Sequence, residues 1–208
     1  MRRRRFLAGI GAMAAAAGSG SPLSAARGCH RLEGSAVICT VGFAQTPEIP
    51  PEPCRANCWA ACLSYLMRAA GARVDTGNIL ARQGMPDGCR PGDDFALLRG
   101  TSGGWSDRSG RRFRVDVAEL APIIGQAPDD PALSGLLDGL ARRPVLCGAA
   151  GHTTVLTQIT TLDDPVTGFR REQVLVRDPF VATHGLRRLS DAELAESSYA
   201  LAVTIRRI

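Results

Sequence analysis

The feature that most limits what this chain can fold into is a change of hydrophobic period near Pro144. Before it, the apolar residues recur at helical spacing. Residues 58–70 form the strongest such stretch, with Asn57 as an N-cap and Gly71 just past the end. A shorter helix is expected over 76–84 through Ile79 and Leu80, another over 93–98, and two more over 117–124 and 131–142. Asp129 and Asp130 open the last of these with an acidic turn. After Pro144 the period is two. Val145-Leu146-Cys147 is a short apolar run, and 153–160, 173–177 and 199–205 are β-branched or alternating. Turn signals such as Asp163-Asp164-Pro165 and Thr167-Gly168 divide them. Helices first and strands second imply an α+β fold in which a helical lobe faces an antiparallel sheet across a cleft. Residues 84–114 read as long loops around the 93–98 helix. Residues 27–53 read as an extended, irregular segment shaped by Pro47, Pro50, Pro51 and Pro53, with one short strand over 37–41.

Residues 1–26 have the layout of an export signal. Arg2 to Arg5 lead into Phe6-Leu7, a weakly apolar stretch of small residues follows, and Ser24-Ala25-Ala26 has cleavage-site character. The paired arginines before Phe-Leu resemble a twin-arginine signal. The apolar stretch is too short for a membrane span of about 20 residues. The expected mature chain is a single domain over 27–208. The formal charge of +5 is concentrated in the signal, since Arg2 to Arg5 precede any acidic residue. Without them the arginines nearly balance the 20 acidic residues, so the positive field that nucleic-acid binding needs is missing.

Export gives meaning to the seven cysteines, at 29, 39, 54, 58, 62, 89 and 147. Outside the cytoplasm thiols pair, and an odd count leaves at least one unpaired. Catalysis is the most economical reason for a free thiol. Cys58 opens the strong helix, where unpaired amides favour a thiolate and the Cys58 N–H can donate to an oxyanion. A base must come from elsewhere in the chain. His152 follows Gly148-Ala149-Ala150-Gly151 and starts a strand, and the strand 174–177 ends in Asp178-Pro179. Adjacent antiparallel strands would bring Asp178 to His152, to hold one ring nitrogen and leave the other for sulfur.

Cys58-Trp59-Ala60-Ala61 at a helix start, Gly151-His152 before a β-branched strand and a strand ending in Asp178-Pro179 resemble the papain-like cysteine peptidases. The likeness is greatest to the compact bacterial branch of double-glycine leader peptidases and secreted effector proteases, and spans about residues 45–208. It implies a two-lobed fold with Cys58 as nucleophile, His152 as base and Asp178 as orienting residue. It also implies hydrolysis of peptide or isopeptide bonds in a peptide or protein substrate, without a cofactor. The likeness departs at the oxyanion hole. Where the family has glutamine, six residues before the nucleophile, this chain has Glu52, and Gln45 lies 13 residues before it. Glu52 and Gln45 are therefore alternative oxyanion residues.

Other readings compete. Cys54, Cys58, Cys62 and Cys89 have spacing that permits a zinc site. The same fold could serve as a binding module without chemistry, or transfer an acyl group to an amine. Under the disulfide reading, Cys89 pairs with Cys54 or Cys62, Cys29 with Cys39, and Cys147 is a core thiol. Trp105 either lines the cleft or plugs the core. His30 and His184 are expected to face solvent.

Overall fold

The computed structural model describes residues 25–32, 34–43, 47–85, 88–89, 92–120 and 131–208. In chain order the strands are β1 (Ala25–Arg31), β2 (Val37–Phe43), β3 (Gly103–Ser106), β4 (Arg112–Leu120), β5 (Val145–Ala149), β6 (His152–Asp164), β7 (Gly168–Asp178), β8 (Gly185–Arg188) and β9 (Ser197–Arg207). The helices are α1 (Cys58–Ala69), α2 (Thr76–Arg82), α3 (Asp94–Arg99), α4 (Pro131–Leu140) and α5 (Asp191–Ala195), with a 3-10 turn at Arg55–Asn57 ahead of α1.

All nine strands join one antiparallel sheet, ordered β1-β2-β6-β5-β9-β4-β3, with β7 and β8 branching from β6. Alternation along the central strands sends side chains to two separate cores. Leu146, Val155 and Leu201 pack with Trp59, Leu63 and Met67 of α1, whereas Val145, Cys147, Leu156 and Ala200 pack with Leu136 and Leu140 of α4. With both faces covered, every residue of β5 is buried. Burial also explains α1. Asn57 makes no side-chain capping bond, but all ten residues from Cys58 to Met67 are buried. A single fully buried Leu contributes about 1.5–3 kcal/mol, more than a cap's typical contribution of about 1 kcal/mol.

The helices expected over 58–70, 76–84, 93–98 and 131–142 are present as α1, α2, α3 and α4. Three expectations need correction. The helix expected from Val117 is strand as far as Leu120, because β4 pairs with β9 from Phe113↔Arg207 to Leu120↔Ala200. Residues 121–124 of that helix lie outside the described residues. The 84–114 stretch is not all loop, since β3 and the start of β4 form a hairpin there with Trp105 opposite Phe113. Lastly, residues 27–53 are irregular only in part: the strand expected over 37–41 is present as part of β2, and another strand precedes it. Most of β1 and all of β2 fall there, paired from Ala25↔Phe43 to Arg31↔Val37, and β2 continues the sheet onto β6. Helices and strands are consequently not segregated along the chain: among the described residues four strands precede Pro144. What stands is a mixed fold of helices on a large antiparallel sheet.

Residues 1–24, nearly all of the expected export signal, lie outside the described residues, and β1 begins at Ala25. Among the described residues no helix is long and apolar enough to cross a membrane. Two disulfides are present, Cys29–Cys39 across β1 and β2, and Cys54–Cys89. The latter removes two of the four sulfurs that a zinc site would have used, and the described residues contain no cluster able to hold a metal. Cys58, Cys62 and Cys147 are free and buried. Trp105 plugs the core, its indole N–H donating to the Thr101 carbonyl at 2.8 Å and Arg82 lying over its ring. His30 and His184 are exposed, and the His184 ring bonds the Ile49 carbonyl at 2.6 Å.

Candidate active site

A two-residue turn sets the position of His152. Ala150 and Gly151 join β5 to β6 with φ of 50° and 65°, and Ala149 pairs with His152. Positive φ at both central residues is the geometry whose twist suits a tight hairpin. The run Gly148 to Gly151 thus ends in a tight turn that delivers His152 as the first residue of β6. On the other edge of β6, β7 runs back antiparallel and ends at Asp178. The His152 Nε2 to Asp178 Oδ1 distance is 2.7 Å, so these two predicted site residues are together.

Asp178 is fully buried and has three further donors. The Phe180 N–H gives to Oδ1 at 2.9 Å, and the Thr183 hydroxyl and Arg187 Nε each give to Oδ2 at 2.7 Å. Burial alone would raise this carboxyl, but the His152 hydrogen bond and charge, with the Thr183 and Phe180 donors, bring it down to about 2. An ionised carboxylate only accepts. The proton of a neutral His152 ring therefore sits on Nε2, which leaves Nδ1 as a bare acceptor. Nδ1 is buried and has no hydrogen-bond partner.

Cys58 comes to the same strand one residue further on. The Thr153 N–H donates to Cys58 Sγ at 3.2 Å, and one turn along α1 the Cys62 thiol donates to the Thr153 carbonyl at 3.4 Å. The Thr153 hydroxyl donates to Asp94 Oδ2 at 2.7 Å and lies 2.6 Å from the Tyr199 hydroxyl, which must then be the donor of that pair. Asp94 Oδ2 also accepts from the Cys58 thiol at 3.5 Å. Asp94 stands at the start of α3, and the Cys54–Cys89 disulfide ties the loop before α3 to the segment before α1. That segment is anchored on the other side as well. Glu52 N–H donates to the Pro179 carbonyl at 2.6 Å, and the Arg55 guanidinium donates to the Ala150 carbonyl at 3.2 Å.

Two electrostatic expectations are corrected by this arrangement. Burial, then the Asp94 charge, push the Cys58 thiol up to about 12, against the lowering effect of the Thr153 donors. At 1% exposure, desolvation of a thiolate outweighs the helix-end amides invoked from the sequence. The Cys58 N–H donates to the Arg55 carbonyl within the 3-10 turn, so it is not a free oxyanion donor. Glu52 Oε1 accepts from the Cys54 N–H at 3.1 Å, holding its own turn, and Gln45 lies outside the described residues.

Sequence reasoning missed Asp94, Thr153, Arg187 and Tyr199. Only Thr153 had a local signal, as the neighbour of the base on a strand. The others arrive from α3, β8 and β9 through tertiary packing. No family model, curated protein or solved structure matches the chain.

Proposed function

We propose that this protein is an exported cysteine hydrolase of papain-like type that cleaves peptide or isopeptide bonds, with Cys58, His152 and Asp178 as its catalytic group. The observation that carries the reading is the state of His152. Its Nε2 is fixed by a buried carboxylate, its Nδ1 is buried and bare, and the next residue's N–H is on a free cysteine at a helix start. A base oriented by a third group beside a nucleophile is the recurring layout of acyl-transfer sites. In the reaction, the Cys58 sulfur leaves its Asp94 contact by a rotamer change and gives its proton to Nδ1. The thiolate adds to the carbonyl carbon, and the amine departs with the proton from Nδ1, leaving a thioester. Water deprotonated by the same nitrogen then releases the acid. Two disulfides in a small chain fit an oxidising compartment beyond the cytoplasm, in keeping with the signal layout of residues 1–26.

A second reading is a papain-fold binding module without chemistry. It is favoured by the Cys58 proton, which points to Asp94 and is held by burial. An epoxysuccinyl peptide separates the two. The hydrolase reading expects covalent labelling of Cys58, located by peptide mass spectrometry, and at least a 100-fold loss in His152→Ala. Equal labelling of a folded His152→Ala protein, or modification at Cys62 or Cys147 instead, would leave only the binding module.

A further inference from the structure

We infer that the groove beside His152 selects substrates carrying a cationic side chain, arginine or lysine, next to the cleaved bond; this deepens the hydrolase reading and rests on it. The groove has a volume of about 450 Å³, and three carboxylates line it, Asp93, Asp94 and Glu119, together with the rings of Phe95 and Tyr199. His152 lines the same groove. It is 7% exposed, and its Nδ1 has no partner, so the base of the proposed chemistry is one of the residues that form this wall.

The described cations nearby are few and already show the preferred contact. Arg99 reaches Glu119 at 3.3 Å and lies over the Phe95 ring at 5.6 Å, combining a carboxylate and an aromatic face around one guanidinium. Both members of that ion pair are 57% exposed, so it is screened and exchangeable. Arg55 is turned to the Ala150 carbonyl. Among the described residues Asp93 accepts from the backbone N–H groups of Phe95 and Ala96, and it lies exposed at the rim.

Two glycines shape the passage. A Cβ on Gly148 would sit 2.2 Å from the Tyr199 ring, so the aromatic wall lies flush against the β5 backbone only because that residue is glycine. A Cβ on Gly151 would meet nothing within 4 Å, which leaves open space for a substrate main chain at the mouth.

The test uses two readouts on the full chain. Epoxysuccinyl probes bearing arginine or its neutral isostere citrulline are compared for their rate of Cys58 labelling. Equilibrium binding of N-acetyl-arginine amide and N-acetyl-citrulline amide, which needs no catalysis, is followed by NMR. The expected result is labelling at least tenfold faster with arginine, with the preference lost in Asp93→Asn/Glu119→Gln. Labelling at equal rates would overturn the cationic preference while the hydrolase reading survives. No labelling, with arginine amide still binding more tightly than citrulline amide, would uphold the groove and defeat the hydrolase. No labelling and no difference in binding would overturn the groove as well.

Discussion

At the scale of single residues, the site turns on which neighbour holds the Cys58 proton. Thr153 offers an N–H that stabilises a thiolate, and Asp94 offers a carboxylate that opposes one. Asp94 is itself raised, by burial, in spite of its Thr153 and Cys58 hydrogen bonds and the His152 charge. Because a like charge beside a titrating group disfavours its ionised form, Asp94→Asn is expected to lower the Cys58 pKa by about one unit or more. The measurement is the pH profile of iodoacetamide alkylation at Cys58, whose midpoint shifts to lower pH in the variant. An unchanged midpoint would mean that burial alone holds the thiol. Asparagine can still accept from the Thr153 hydroxyl, so the variant tests charge rather than packing. Cys147 provides an internal comparison. It faces the α4 side of the sheet and is held at about 11 by burial, so its reactivity should not change in the variant.

At the scale of elements, the corner formed by β7, β8 and α5 holds Asp178 in place. Arg187 on β8 donates to Asp178 and also makes two 2.7–3.0 Å contacts with Glu193, the carboxylate that closes the capping box of α5 with Ser190. Glu193 is lowered to about 2, burial opposing and the Arg187 and Ser190 hydrogen bonds prevailing. Both carboxyls have folded-state values below their ordinary ones, so each contributes stability that is present above the unfolded pKa. That contribution is lost as pH falls from about 4 towards 2. Urea unfolding at pH 6, 4 and 2.5 should show a flat upper range and a steep loss below 4, and Asp178→Asn should flatten the acid limb. Arg187→Met leaves Asp178 buried without its guanidinium and is expected to cost about 3 kcal/mol in the same assay. The sequence alone indicated that β6 and β7 would pair, because their alternation and the turn at 163–168 are local signals. It carried no sign of Arg187, whose role exists only once β8 pairs with β7 from Leu175↔Arg188 to Asp178↔Gly185.

For the molecule as a whole, the disulfides decide where the edges of the fold are tied. Cys54–Cys89 closes a loop of 35 residues, and Cys29–Cys39 one of 10. Loop-closure entropy gives the longer crosslink about 4 kcal/mol and the shorter about 3 kcal/mol. Cys54→Ser/Cys89→Ser should therefore lose more stability to urea than Cys29→Ser/Cys39→Ser. It should also lower Cys58 labelling by the epoxide, since the longer crosslink ties the approach to α3 and Asp94 to the start of α1. An identical response of the two variants would mean that the longer link does nothing for the site.

The amino-acid sequence by itself determined the elements whose signals are local. These are α1 with its apolar residues at helical spacing, the strand that His152 opens, the β6–β7 pair that carries Asp178, and the odd count of cysteines. Period and turn chemistry act over a few residues and can be read there. Tertiary structure alone decided that Val117 belongs to a strand, that β1 and β2 extend the sheet, and that burial, followed by the Asp94 charge, raises the Cys58 thiol. Those outcomes depend on which distant segment packs alongside. Strand pairing and desolvation are properties of neighbours brought together by folding, and neither is written in the spacing of residues along the chain.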